Sequence, residues 1–288
     1  MSQSSSEIGA VLSLWRYPVK SMMGEELMTA EVEEHGLAGD RAYALIAEAD
    51  GKVASAKNPG KWPNLFAFRA GFEKQSENGG GVPPIRITLP DGTTLTSEQA
   101  DVDPALSKAL GKNVVLAVTE RGKVAGVQSS MPAGWTAKAE EYWPDIDGRD
   151  HRETVTEFNL PAGPFFDGAI VHLVTTATFE RLHELYPQGR FEPPRFRPNI
   201  VVDSAKGERG FIEQGWIDHE LSIGDHVRLR VTGPCARCVM TTLAQGNLPK
   251  DPGILRTAVQ HNHGHVGVYA AVVQGGVITR GDPVRLCD

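Results

Sequence analysis

The sequence predicts a mostly β protein of the α+β class, built from barrels or closed sheets with a few peripheral helices. Three observations predict it. Short runs of alternating or continuous apolar residues recur along the chain, separated by turn dipeptides such as Asp50-Gly51, Asp91-Gly92 and Gly275-Gly276. Only two or three segments carry a helical period. Strands do not alternate with helices, which argues against a doubly wound parallel sheet.

Taken in order, residues 9–16 read as a strand ended by Pro18, and Leu27–Val32 alternates as the next. Gly36–Asp40 is rich in turn formers, and Arg41–Ala47 resumes as a strand. Asp50-Gly51 predicts a hairpin between Ala44–Ile46 and Val53–Ser55, and Asp91-Gly92 a second between Ile85–Leu89 and Thr93–Thr96. Gln75–Pro84 is polar and predicts a surface loop. Asp101–Leu110 has an acidic start and apolar residues at helical spacing, and Gly111 stops it.

Residues 119–164 lack a regular pattern and hold the expected junction, giving domains at 8–125 and 165–287 with a connecting region at 126–164. Beyond it, Ala169–Val174 reads as a buried strand and Thr176–Tyr186 as the most helix-like segment. Phe196–Val202, Ile217–Ile223 and Val227–Val231 read as extended. Val266–Val273 and Val277–Thr279 predict a hairpin, and Val284–Leu286 a last strand.

The bulk properties exclude several function classes. The sequence of 288 residues has 40% hydrophobic and 23% charged residues, enough apolar content for a full core. Its net charge of −7 argues against general nucleic-acid binding. No run approaches the roughly 20 apolar residues of a membrane span, and the polar Met1–Glu7 is unlike a signal peptide, so a cytoplasmic location with no membrane partner is expected. Three cysteines do not make a disulfide scaffold.

Two of those cysteines fall in Gly233-Pro-Cys-Ala-Arg-Cys238, after the strand-like run 227–231. Arg237 beside them lowers a thiol's pKa, and the thiolate is the form that binds metals. Structural zinc would need four ligands, and a thioredoxin-type pair would open a helix, whereas Val239–Thr242 reads as strand. Two buried, inert thiols remain the plain alternative. Lys20-Ser21 after a strand offers an ammonium and a hydroxyl to an anion, Asp40-Arg41 is a similar candidate, and each is equally a solvated surface pair. In Arg195-Phe-Arg-Pro-Asn199, Pro198 biases Arg197 to an extended conformation, so both arginines face one side and suit bidentate phosphate recognition. His261, His263 and His265 would share one face of an extended chain and invite a metal, but no second set of ligands is identified nearby.

Five stretches together, Tyr17-Pro-Val-Lys-Ser21, Gly39-Asp-Arg41, Phe196-Arg-Pro-Asn-Ile-Val201, Cys235-Ala-Arg-Cys238 with Thr241-Thr242, and Gly281-Asp-Pro-Val284, resemble the MOSC family (molybdenum cofactor sulfurase C-terminal domain proteins) in its two-part form. That form has an N-terminal β-barrel domain before the MOSC β-barrel domain. Its members include the amidoxime reducing components. The resemblance implies a molybdenum cofactor, Mo-molybdopterin, with Cys238 as metal ligand and the catalytic position. It implies cofactor contacts from Lys20, Ser21, Arg41, Arg197, Asn199, Arg237, Thr175, Thr176 and Tyr269, with the cofactor between the domains. Relatives often carry serine where this chain has Ala236, and backbone N–H groups are the expected replacement. The histidine stretch lies outside the family pattern and before Tyr269, where it would tune substrate choice or proton delivery.

The implied activity is reduction of a small N-hydroxylated substrate by oxygen-atom removal. The sequence has too few cysteines for the four thiolates of an iron–sulfur cluster, so electrons are expected from a separate ferredoxin-, flavodoxin- or cytochrome b5-type protein. The alternative is a cofactor or sulfur carrier with a persulfide on Cys235 or Cys238, and a third reading is cofactor storage.

Overall fold

A computed structural model describes residues 5–73, 81–120, 123–125 and 135–287. Its largest feature is a closed ring of seven strands. Around the ring they run Ile200–Ser204, Val171–Thr175, His265–Gln274, Val227–Ala236, Glu220–Ile223, Pro283–Cys287 and Ser5–Arg16, and the last pairs back to the first. Neighbours are antiparallel except Val171–Thr175 and Ile200–Ser204, which are parallel. A parallel pair needs a crossover, supplied by the helix Thr176–Leu185. Alternation along these strands fills the ring with Val11, Leu14, Leu173, Ile200, Leu221, Leu229, Val231, Val268 and Val284, all buried. Closure removes the strand edges that would otherwise pair with other chains. The first strand of the chain is therefore a stave of the barrel whose other strands lie between residues 171 and 287.

The chain leaves this barrel at Arg16 to build a second core. Tyr43–Ala47 pairs with Val114–Glu120, and Arg69–Phe72, Ile85–Thr88 and Thr94–Thr96 form another antiparallel sheet. The expected helix runs Val102–Leu110, ends on left-handed Gly111, and buries Val102 and Leu106. Phe66, Phe68, Ile85, Ile87 and Leu106 pack here with Val19 and Met22, and Met240 of the C-terminal part enters the same cluster. The two halves thus share a core.

Several expectations are corrected. The patternless segment 119–164 contains a hairpin, Lys138–Trp143 with Thr154–Asn159, whose Ala139 packs on Ala44, Ile46 and Ala117. The hairpin expected across Asp50-Gly51 does form, but only as a short antiparallel bridge of Ile46 with Val53, held by Ala47 N–H to Lys52 C=O and Ala54 N–H to Leu45 C=O. On its other side Val53 N–H donates to Lys138 C=O of the 138–159 hairpin. Gly276–Thr279 does not fold back on His265–Gln274; it pairs with Thr29–Glu33. Val239–Thr242 is a 3₁₀ turn, not a strand, with the Thr241 and Thr242 hydroxyls bonded to the carbonyls of Cys238 and Val239. Residues 253–262 form an unforeseen helix, Gly253–Asn262. Most of the expected loop at 75–84 lies outside the described residues.

Candidate functional site

The strand Val227–Ala236 continues through Gly233-Pro-Cys and delivers Ala236, Arg237 and Cys238 to a cavity between the halves. The first half contributes Lys20, Ser21, Arg41 and Lys57, and the second Asp167, His172, Arg197, Asn199 and Tyr269. Eight of the ten residues expected at a site therefore meet here.

Each is held from behind. Lys20 N donates to Tyr43 C=O, and its ammonium reaches the Phe165 carbonyl at 3.0 Å and the Asp167 carboxylate. The Ser21 hydroxyl accepts from Ala56 N–H at 3.0 Å. Buried Asp40 accepts from Tyr17 N–H at 2.7 Å, from Asn199 Nδ2 at 2.8 Å and from Arg41 Nη1. Asp40 thus orients two pocket residues while standing behind them. Arg41 and Arg197 lie over the Tyr17 ring at 4.5 and 4.1 Å, and Arg197 Nη1 donates to Met22 C=O. Ring faces attract guanidinium groups, so Tyr17 holds two like charges side by side.

Three pocket residues, Ser21, Arg41 and Arg197, have φ of 64°, 51° and 53°. A side chain in this left-handed region costs about 1–2 kcal/mol. Half of the six such non-glycine residues among those described line this one cavity, a concentration typical of functional sites. Arg197 corrects the extended conformation expected of it. Its N–H closes the short helix Pro193–Phe196 onto Pro193 C=O, which turns the backbone left-handed despite Pro198. Arg195 consequently does not share its face. It is fully buried, and its guanidinium donates to the carbonyls of Arg190, Thr241, Leu243 and Pro249 at 2.7–3.3 Å.

The thiols are separated by depth. Cys238 lines the cavity, and Cys235 is fully buried beneath it. Burial pushes the Cys235 thiol up, but the Arg237 guanidinium, with Nη1 2.7 Å from Sγ, and the His172 ring together outweigh it and bring it down to about 6. Burial dominates at Cys238 and raises it, against the pull of Lys57. Burial and the Arg41 charge lower Arg197 to about 9, still protonated at neutral pH. Burial depresses Lys20, with Asp167 opposing, while at Asp167 the charges of Lys20 and Lys57 overcome burial and hold the carboxyl far below its ordinary range.

Five cations, Lys20, Arg41, Lys57, Arg197 and Arg237, face this cavity with one lining carboxylate, Asp167. Arg237 spends Nη1 on Cys235 and Nη2 on Phe196 C=O, leaving its buried Nε without a partner. Such a donor set fits an anionic group, and one lining thiol offers a soft ligand to a metal that brings its remaining ligands along. Among the described residues no group of three or more His, Cys, Asp or Glu could hold a metal alone. Ala236 lines the cavity, but the Arg237 N–H is bonded to Gly264 C=O at 2.7 Å and does not replace a serine hydroxyl there.

The structure does not bring Thr175 and Thr176 to the cavity. The Thr175 hydroxyl accepts from Thr178 N–H, capping the helix, and donates to Glu213; that of Thr176 donates to Asp203. Gly168 and Ala169 line the wall instead. The three histidines are not on one face: His261 lies in the last helical turn, His263 is left-handed at φ 52°, and His265 begins the next strand. None lines the cavity. Lys57, Asp167 and His172 were missed. Gly267 explains how His172 fits: at φ 79° a Cβ there would lie 2.3 Å from Leu173 C=O and 2.4 Å from His172 Nε2.

Comparison with known proteins adds the following. The model of the MOSC domain matches residues 163–285, and that of the MOSC N-terminal beta barrel domain matches residues 8–123. Mitochondrial amidoxime-reducing component 1 of Mus musculus is 26% identical over 309 aligned positions, covering 97% of this chain and 83% of that protein. Mitochondrial amidoxime reducing component 2 of Homo sapiens is 27% identical over 249, covering 82% of this chain and 67% of that protein. Among solved structures, the YuaD protein from Bacillus subtilis aligns over 99% of this chain and 98% of its own with a TM-score of 0.48 and 11% identity. No helix among the described residues is long and apolar enough to cross a membrane.

Proposed function

The chain belongs to the MOSC family in its two-part form, with the MOSC N-terminal beta barrel domain preceding the MOSC domain, and we propose that it is a molybdenum-cofactor-dependent reductase of small N-hydroxylated compounds. The observation that carries this reading is the cavity itself: five cations and a single lining thiol, with one guanidinium Nε left unpartnered. Lys20, Ser21, Arg41, Arg197, Asn199 and Arg237 would hold the cofactor's phosphate and pterin, Tyr269 would close that wall, and Cys238 would ligate the metal. When bound, the cofactor supplies the two-electron couple that takes oxygen from nitrogen.

The overall change is R–NHOH + 2e⁻ + 2H⁺ → R–NH₂ + H₂O. The protein's part is to bind and orient. The guanidinium groups fix an anion in two dimensions, as paired forks do, and Phe165, Phe166 and Phe196 form an apolar wall. The names of the curated relatives support the substrate class. The three cysteines of this sequence are too few for the four thiolates of a cluster, so the electrons come from a redox centre outside these residues.

A sulfur carrier would need one thiol that is both exposed and of low pKa. Cys235 has the low pKa but is buried, and Cys238 faces the cavity with a raised one, so neither supports that reading. The test is reduction of an aryl amidoxime by molybdenum-loaded protein with reduced methyl viologen as electron source. Turnover to the amidine is expected. Loaded protein that leaves the amidoxime untouched would overturn the assignment.

A further inference from the structure

A second, larger groove lies beside the cysteine turn, and the reductase reading does not use it. It holds about 540 Å³. Pro63, Phe66 and Phe68 of the first half face Leu243–Gly246 of the second across it. We propose that this groove docks an acidic electron-transfer protein, and that electrons enter the site through it. The proposal rests on the reductase reading.

Four observations carry it. First, the charge is inverted locally. The chain is −7 overall, yet the residues lining this groove include Arg69 and Lys250 and no carboxylate. Interfaces pair opposite potentials, and weak electron-transfer encounters depend on such steering. Second, one wall is rigid in advance. The Arg195 guanidinium ties together the carbonyls of Thr241, Leu243 and Pro249, and Gln245 and Leu248 exchange both backbone hydrogen bonds. A loop fixed this way loses little freedom on docking.

Third, Gln245 is an acceptor without a donor. It is 1% exposed, its Nε2 donates to Met240 C=O at 3.0 Å, and its Oε1 has no partner. A buried amide oxygen left unmatched calls for a hydrogen-bond donor from outside. Fourth, the groove is continuous with the thiol. Met23, Phe66 and Phe68 at its base belong to one packed cluster with Met240, against which Cys238 and Leu243 also pack. Cys238 is followed directly by the 3₁₀ turn Val239–Thr242, which leads into the groove wall. Electrons delivered here, two per substrate reduced and matched by two protons from water, reach the Cys238 neighbourhood without crossing the substrate cavity.

The probe is reduced plant-type ferredoxin, a small acidic electron carrier, used beside reduced methyl viologen, which needs no docking. Lys250 is exposed and makes no side-chain bond in the structure among the described residues. Lys250→Glu should lower kcat/KM for ferredoxin roughly tenfold at low salt, as loss of a steering charge does, and leave the viologen rate unchanged. Arg69→Glu with Lys250→Glu should lower it further. On cofactor-free chain, carbodiimide should join Lys250 to a ferredoxin carboxylate, read by mass spectrometry. Equal ferredoxin rates in wild type and Lys250→Glu, cross-links that avoid Lys250, or cross-links joining two copies of this chain would each overturn the proposal. A wild type inactive with viologen would instead overturn the reductase reading, and the cross-link would still decide the groove.

Discussion

Changing Asp40 to asparagine tests how the cation cluster is held. The asparagine keeps the shape of the side chain and an Oδ1 that accepts from Tyr17 N–H. Its second arm becomes an NH₂ aimed at two donors, Asn199 Nδ2 and Arg41 Nη1. Two hydrogen bonds to a charged group are lost, each worth about 1.5–3 kcal/mol when buried. Arg41 is 14% exposed and recovers part of its loss from water, which gives a net cost of about 3–5 kcal/mol, the range for breaking a buried pair by removing one partner. Against a total stability of about 5–15 kcal/mol, this is large enough to read by urea unfolding, as a lower midpoint with an unchanged slope. A shift below about 1 kcal/mol would refute the reasoning, since it would put Asp40 with exposed ion pairs.

Other outcomes follow from the same geometry. Arg195→Lys keeps the charge but cannot reach four carbonyls, and should cost about 2–4 kcal/mol by urea unfolding; a wild-type midpoint would contradict it. Burial raises the Glu213 carboxyl above its ordinary range, with the Thr178 and Thr175 hydroxyls opposing. A folded-state pKa above the unfolded value gives stability that is full below the unfolded value and lost as pH rises through the folded one. Glu213→Gln should therefore gain on wild type in melting temperature as pH rises from acid toward neutral, and parallel profiles would sink the assignment. Inorganic phosphate at ten times its Kd should stabilise the cofactor-free chain by about 1.4 kcal/mol, and Arg197→Met should abolish the effect; equal shifts in both proteins would remove Arg197 from the anion site.

Four of the five cations, Lys20, Arg41, Arg197 and Arg237, were legible because each sits in a short motif. Lys57 and Asp167 were not. Ala56-Lys57-Asn58 has no pattern of its own, and Lys57 reaches the cavity only because Glu141 and Asp167 draw it there, at 3.2 and 3.4 Å. Asp167-Gly168 after two phenylalanines was the available signal for that wall. Thr175 and Thr176 misled through type alone: a threonine at a strand-to-helix boundary is an N-cap first, and Thr175 is one. The seven-strand ring needs Ser5–Arg16 to cross from one end of the chain to the other, and no local pattern encodes such a closure. The helix Gly253–Asn262 was hidden by its Asp-Pro-Gly start, which reads as a turn, although Asp251 Oδ1 accepts from Gly253 N–H to begin it. That helix is why the three histidines part company.

The central claim is that a molybdenum cofactor sits on Cys238 among these cations. It is tested most directly by the molybdenum and pterin content of chain purified from a host that makes the cofactor, comparing wild type, Cys238→Ala and Cys235→Ala. The account predicts about one molybdenum per wild-type chain, the stoichiometry one thiolate ligand allows, and its loss in Cys238→Ala with retention in Cys235→Ala. Molybdenum absent from wild type, or undiminished in Cys238→Ala, would contradict it.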